Sequence, residues 1–400
     1  MSLRSEFVLK ATSRKANFAA LCREYGVSRK TGYKWLGRFE ADGVDGLENL
    51  STRPHSAPLK LSAEVAVFIV LLRGQHPTWG SKKLAVLAAT KFPDEAPCRS
   101  SVDRVLKGAG LVQPGRPRPM RSKLTPQKPN LVIDAPNDVW TVDFKGWWLA
   151  TDKQRCEPLT IRDAFSRYVL SIEVLSTTSI EAVRPVFEEA FIKYGLPRTI
   201  HSDNGSPFVS SFTELGLTKL SAWWLSLGIE HVRSRPATPS DNGAHERMHR
   251  DMAAELERFA ALTRDKQQEA CERWRMDFNC VRPHEALGMK CPVNVYRESR
   301  TRFFRGVPAE ATYPEGFDVR LVGKRGGITW RDKPVFISNA LAKHRVGLEL
   351  NGGHVVTVWF GTVKIGEIDF NKSPARFQPR NWIQTAVAYP SQKDEVLPMS

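Results

Sequence analysis

The chain has 400 residues, 41% of them hydrophobic and 10% aromatic, and a formal net charge of +16. That length exceeds one ordinary core and predicts three or more domains, and that composition excludes a disordered chain. No apolar run reaches bilayer length, Met1-Ser-Leu-Arg-Ser-Glu lacks the apolar stretch of a secretory signal, and the six cysteines form no Cys-x-x-Cys pair, which argues against membrane, disulfide and zinc-site classes and for reduced cytosolic thiols.

Residues 1–55 are expected to form a helix-turn-helix. Phe18, Leu21 and Cys22 share one helical face, Tyr25-Gly-Val makes a tight turn, and Ser28 caps a helix in which Tyr33, Leu36 and Phe39 keep helical spacing. That second helix would enter the major groove by its N-terminal end, where Arg29, Lys30, Thr31, Tyr33 and Lys34 can reach phosphates or base edges. A helical hairpin that binds nothing carries the same pattern.

Residues 56–112 repeat the theme. Helices are expected over 65–73, over 82–90 behind a Ser81 cap, and from Ser100 to a stop at Gly108-Ala-Gly. Arg99, Ser101 and Arg104 are the candidate contacts of this second helix-turn-helix.

Residues 113–136 alternate Pro114, Pro117, Pro119, Pro126, Pro129 and Pro136 with Arg116, Arg118, Arg121, Lys123 and Lys128. Such a stretch predicts an extended, semi-rigid linker. Its charge suits tracking along a phosphate backbone, and equally suits a solvated tether.

Residues 137–304 read as an α/β unit. Strands are expected over 139–148, 159–164, 167–175, 198–202 and 229–233, and helices over 178–194, 220–227 and 265–280. A long helix over 241–262 would carry Met248, Met252, Leu256 and Phe259 inward. This order indicates a mixed sheet with helices on its faces. Residues 305–385 hold six short strand candidates, with Asn351-Gly-Gly as a hairpin signal, and predict a small SH3-like β-barrel before a tail at 386–400.

Charge follows these divisions. Residues 1–133 hold 23 Lys and Arg against 10 Asp and Glu, residues 134–300 hold 22 against 24, and residues 301–400 hold 14 against 9. A near-neutral middle between basic ends suggests a catalytic unit flanked by units that bind a polyanion.

Three acids of the middle unit stand out: Asp143 in Val139-Trp-Thr-Val-Asp-Phe-Lys, Asp203 in His201-Ser-Asp-Asn-Gly, and Glu246 in Asn242-Gly-Ala-His-Glu-Arg. Asp143 interrupts an aromatic, β-branched strand whose neighbours Trp140, Val142, Phe144, Trp147 and Trp148 argue for burial, where an unpaired carboxylate is costly. Phosphodiester chemistry needs charge stabilisation on attacking and leaving oxygens, which two hard divalent cations about 4 Å apart supply. Such cations, two Mg²⁺ or Mn²⁺, prefer carboxylate oxygens. Asp143 is assigned as the bridging ligand, with Asp203 on one ion and Glu246 on the other. Each acid also has a bland reading, as strand surface, turn residue or helix N-terminal acid. Asp241, in Ser240-Asp-Asn-Gly, is the rival third ligand, although a helix cap is its expected role. Arg247 and Arg250 follow Glu246 and can hold DNA phosphates; His249, at i+3 from Glu246, is expected in a DNA or packing role rather than on the metal.

These segments resemble the integrase core of retroviral integrases and bacterial insertion-sequence transposases, which has a ribonuclease H-like fold. Asn137-Asp-Val-Trp-Thr-Val-Asp-Phe, Asp163-Ala-Phe-Ser-Arg, His201-Ser-Asp-Asn-Gly-Ser-Pro-Phe, Asn242-Gly-Ala-His-Glu-Arg, Arg282-Pro-His-Glu-Ala-Leu-Gly and Cys291-Pro-Val-Asn-Val-Tyr occur in the expected order. The nearest likeness is to transposases of the type named after insertion sequence 481. The resemblance implies a metal-dependent Asp-Asp-Glu triad at Asp143, Asp203 and Glu246, cleavage giving a free 3′ hydroxyl at each element end, and attack of that hydroxyl on target DNA. It implies double-stranded DNA as partner, at least a dimer on that DNA, and a cytoplasmic protein of the bacterial nucleoid. One departure is the 42 residues between Asp203 and Glu246, where related cores have fewer; the extra residues are expected around 214–221. A nuclease that only hydrolyses DNA, and a regulator built on a decayed core, are the rival readings.

Overall fold

The computed structural model describes residues 2–13, 16–49, 61–112, 131–210, 215–235, 239–303, 311–350, 352–372 and 374–380. The chain divides into two compact units, Met1–Lys60 and Leu61–Ser400.

The first unit packs α1 (Leu3–Ala11), α2 (Phe18–Glu24) and α3 (Arg29–Asp42). Phe7, fully buried, meets the rings of Phe18, Tyr25 and Trp35 edge-on at 5.9, 5.5 and 5.5 Å. Ser28 caps α3 as expected, its Oγ accepting from the Thr31 amide at 3.1 Å. Gly32 lets α3 approach closely: a Cβ there would lie 2.9 Å from both Phe7 and Phe18. Helix α1 has no counterpart in the sequence reading, because Leu3 and Leu9 point to solvent and only Phe7 and Val8 form its buried face.

The second unit begins with α4 (Ala63–Gln75), α5 (Ser81–Lys91) and α6 (Arg99–Gly108) around Val65, Ile69, Trp79, Leu84, Ala88, Val102 and Leu106. Ser81 does not cap α5. Extended Gly80 holds the cap position without a side-chain bond, and Ser81 is the first helical residue.

The sheet that follows contains β1 (Val139–Phe144), β2 (Trp148–Leu149), β3 (Arg155–Asp163) and β4 (Val169–Leu175). After α7 (Ile180–Tyr194) come β5 (Thr199–Ser202), α8 (Lys219–Ser226) and β6 (Glu230–Arg233). Strand β3 lies antiparallel between β1 and β4, while β1, β5 and β6 run parallel. The expected strand over 139–148 is broken at Gly146, whose φ of +91° turns the chain and leaves Trp147 exposed. One face of the sheet packs Trp140, Val142, Leu159 and Ile161 against α7 and α8. The other packs Val169, Ile172 and Val174 against α9 (Gly243–Glu255) and α10 (Arg264–Cys280). Helix α9 is shorter than expected. Beyond it, the Ala261 and Leu262 carbonyls accept from the Thr151 and Asp152 amides at 2.9 and 3.0 Å, so the backbone leaves the helix for a tertiary ladder. Met248, Met252 and Leu256 point inward, but Phe259 is 71% exposed.

The C-terminal region holds β7 (Asp318–Leu321), β8 (Gly327–Trp330), β9 (Lys333–Phe336), β10 (Arg345–Leu350), β11 (Val355–Phe360), β12 (Val363–Asp369) and β13 (Arg376–Pro379). Their ladders make a five-stranded antiparallel sheet, β13-β12-β11-β10-β7, and a separate β8-β9 hairpin. Among the described residues no ladder joins β7 to β13. Leu215, Leu217, Ala222 and Leu225 of the α/β unit share one apolar cluster with Val346, Val358, Ile365 and Phe377 of this sheet. Gly216, at φ +65°, leaves room for the Arg233 guanidinium, which a Cβ there would strike.

Candidate active site

Alternation along β1 separates two chemistries. Val142, paired with Ile161, faces the apolar cluster, while Thr141 and Asp143, paired with Arg162 and Thr160, face the N-terminal half of α9. Strand β5 runs parallel beside β1, with Thr141 opposite His201, so Asp143 and Asp203 emerge two residues further on at the same edge. Asp203 leaves β5 into a turn in which its Oδ1 accepts from the Gly205 amide at 3.1 Å. Glu246 lies in the first turn of α9, exposed, with Arg247 and Arg250 exposed beside it.

Asp143 feels the other two carboxylates. Burial, then Asp203, then Glu246 push the Asp143 carboxyl up to about 7, against the opposing Phe144 backbone bond. Asp203 is also raised, by the protein crowding it, although its residue surface is exposed. A carboxyl that keeps its proton near neutrality beside two other acids is short of positive charge, and three carboxylates are the donor set a hard divalent cation takes. The residues therefore fit such an ion in chemistry. Among the described residues, however, no group of three or more His, Cys, Asp and Glu is gathered in a metal-holding arrangement.

Beneath Asp143 lies a buried polar network. The Thr160 hydroxyl is 2.9 Å from the Asp143 carbonyl oxygen, to which it donates. Its one proton being so used, the Nε2 atoms of His245 and His249, at 2.6 and 2.8 Å, must donate to its oxygen. His245 Nδ1 then accepts from the Thr141 hydroxyl at 2.9 Å. His249 Nδ1, left with a lone pair, stands 3.8 Å from Asp143 Oδ2. Both rings are neutral: burial drives His245 far down, and burial with Lys145 and Arg162 nearby takes His249 to about 3. Arg162, itself buried, donates to the Ala244 carbonyl at 2.8 Å and ties the start of α9 to the sheet.

Asp241 is engaged elsewhere. Arg235 donates from its amide and Nε to Oδ2 at 2.9 and 3.0 Å and from Nη2 to Oδ1 at 2.6 Å. Asn242, not Asp241, precedes α9, and its side chain makes no cap bond.

Family models describing an integrase core domain match residues 134–239 and 227–292. The chain carries an integrase core domain. A homeodomain-like model matches residues 31–106 and a helix-turn-helix model residues 4–55, so helix-turn-helix domains precede this core. Its relatives include insertion-element proteins. An uncharacterized 39.2 kDa protein of insertion element IS476 from Xanthomonas euvesicatoria is 27% identical over 67% of this chain and 74% of the relative. An uncharacterized 31.7 kDa protein of insertion element IS407 from Burkholderia multivorans is 28% identical over 47% of this chain and 65% of the relative. Among solved structures, the HTLV-2 integrase catalytic core domain in complex with magnesium covers 41% of this chain at 17% identity, with a TM-score of 0.30.

Within the integrase core, Asp163 of the matched segment is structural. Fully buried, it accepts from the Asn137 and Ser166 amides at 2.7 Å each and closes the β3–β4 turn. Outside the core, Arg29, Lys30, Tyr33 and Lys34 are exposed at the start of α3, Tyr33 stacking on Phe18 at 4.2 Å, while Thr31 is half-buried against Ser28. In the second helix-turn-helix Arg99 and Arg104 are exposed, and Ser101 is half-buried with its hydroxyl 3.4 Å from Cys98 Sγ. Arg116, Arg118, Arg121 and Lys123 lie outside the described residues. Among the described residues no helix is long and apolar enough to cross a membrane. Thr160 and His245 were missed by sequence reasoning. Their only signal was a hydroxyl at the strand position facing Asp143 and a histidine one turn before His249, both ordinary without the register.

Proposed function

We propose that the protein is a DNA transposase that binds the terminal inverted repeats of an insertion sequence and catalyses 3′-end cleavage and strand transfer into target DNA. The observation that supports this reading is that Asp143 and Asp203 leave the neighbouring parallel strands β1 and β5 at the same end, with Glu246 in the first turn of the helix that packs over Asp143. In this reading Asp143, Asp203 and Glu246 would together hold two Mg²⁺ ions. The ions supply charge stabilisation for the attacking and leaving oxygens. The chain's own residues do the rest. Thr160, His245 and His249 fix the Asp143 backbone and ring contacts from below, and Arg247 and Arg250 hold the DNA backbone beside the carboxylates. The exposed cations of α3 and α6 engage the element ends, and Arg116, Arg118, Arg121 and Lys123 track along a phosphate backbone. The enzyme acts as at least a dimer on DNA, because two ends join one target.

A strand-transfer assay with labelled element ends tests the reading. Mg²⁺-dependent joining is expected, abolished by Asp143→Asn or Glu246→Gln while end binding persists. Cleavage without joining would replace the transposase by a nuclease, and end binding without either would leave a regulator.

A further inference from the structure

Arg282 and Pro283 of the Arg282-Pro-His segment are packed inside the protein. Arg282 is 1% exposed. Its Nη1 donates to Asp251 Oδ2 at 2.9 Å and its Nη2 to Glu255 Oε2 at 2.6 Å, both acids lying on α9. The rings of Trp79, Trp274 and Phe278 surround the guanidinium at 5.2, 5.3 and 5.3 Å. Trp274 and Phe278 belong to α10, but Trp79 comes from the turn before α5, in the second helix-turn-helix. Glu255 takes two further donors, Trp274 Nε1 at 2.5 Å and the hydroxyl of Thr78, also from that turn. Trp79 is 1% exposed, with the His76 ring stacked on it at 3.8 Å, and Lys82 of α5 reaches Glu285 at 2.8 Å.

We infer that Arg282 is a positioning residue that couples DNA engagement by the second helix-turn-helix to the placement of Glu246. The inference rests on the proposed role of Glu246. Glu246 and Glu255 stand at opposite ends of α9, nine residues or about 13.5 Å apart on a hydrogen-bonded rod. A displacement at the Glu255 end is therefore delivered to the Glu246 end. A fully buried cation held by two carboxylates and three rings has few alternative arrangements, so movement of Trp79 or Thr78 carries α9 with it. Helix α6, which carries the exposed Arg99 and Arg104, shares one small apolar core with Trp79 through Val102 and Leu106, which joins the proposed DNA-facing surface to the latch. This connection gives bound DNA a route for moving Glu246 relative to Asp143 and Asp203.

Amide hydrogen exchange of the full-length chain, with and without a mixed-sequence DNA duplex at low salt, tests the coupling. In the wild type, duplex is expected to slow exchange in both α6 and α9. In Trp79→Ala the slowing in α6 is retained and that in α9 is lost. Arg282→Lys, which keeps the charge but not the fork, gives the same loss and covers the case in which Trp79→Ala does not fold; Trp79→Phe retains some of the α9 effect. Slowing of α9 that persists in Trp79→Ala or Arg282→Lys assigns it to direct DNA contact at Arg247 and Arg250 and overturns the inference. Absence of slowing in wild-type α9 overturns it too, whether or not α6 responds. Mg²⁺-dependent nicking of the same duplex by the wild type, with Asp143→Asn as control, is read separately. Its absence counts against the proposed chemistry and leaves the exchange result standing.

Discussion

His249 presents Nδ1 to the carboxyl of Asp143 at 3.8 Å while its Nε2 is committed to Thr160 at 2.8 Å. Both facing atoms are acceptors unless Asp143 keeps its proton or a cation comes between them. The site is thus built around a deficit of positive charge, and its response to pH follows.

Asp143 titrates at about 7 in the metal-free fold, against an ordinary value of about 3.9. The folded state then binds this proton more tightly than the unfolded chain. Metal-free stability should fall as pH rises from about 4 to about 7 and level off above, by about 2–4 kcal/mol from this group. Denaturant midpoints in chelator at pH 5 and pH 8 check this. Asp143→Asn should be less sensitive to pH and more stable than the wild type at pH 8; an unchanged slope would falsify the assignment.

Replacing Thr160 by Val keeps the shape and removes the hydroxyl shared by two imidazoles and the Asp143 carbonyl. Two buried Nε2–H donors lose their acceptor, at a cost of about 1–3 kcal/mol each. Urea denaturation should register the loss, and strand transfer should fall further than DNA binding. Binding measured by fluorescence anisotropy should be nearly unchanged.

Asp241 and Glu246 separate cleanly. Asp241→Asn should weaken the Arg235 contact and retain joining within about tenfold, whereas Glu246→Gln should abolish it. The opposite ranking in the joining assay reassigns the third ligand.

Arg29, Lys34 and Arg104 are exposed cations on the two helices proposed to face DNA. Each replaced by Ala should lower the slope of log affinity against log salt by about 1 if it neutralises one phosphate. Titrations over a salt series read this directly. A slope that does not change removes that residue from the interface.

The sequence made the candidate acids legible because each breaks a local pattern: Asp143 an aromatic strand, Asp203 a glycine turn, Glu246 the start of an amphipathic helix. The helix-turn-helix units were legible through Ser28 and the spacing of apolar residues. Thr160 was not, because its relation to Asp143 exists only in the β1–β3 register. The end of α9 was not, because backbone pairing of Ala261 and Leu262 with Thr151 and Asp152 overrides a helical pattern that Phe259 continues in the sequence alone. Arg282 was not, because its acidic and aromatic partners come from three separate segments. Where a small SH3-like β-barrel was expected, the described residues form a five-stranded sheet and a hairpin around one apolar cluster, since short alternating strands specify their faces without fixing which edges pair.

Leu215, Leu217, Ala222 and Leu225 sit in the same apolar cluster as the C-terminal sheet. That sheet is consequently a wall of the α/β unit's interior rather than an appendage hung from it. A fragment stopped at residue 303 would uncover these four side chains to water. It should bind a hydrophobic dye and precipitate where the longer chain stays dispersed, so a cut at the apparent joint would damage the very fragment it was meant to isolate.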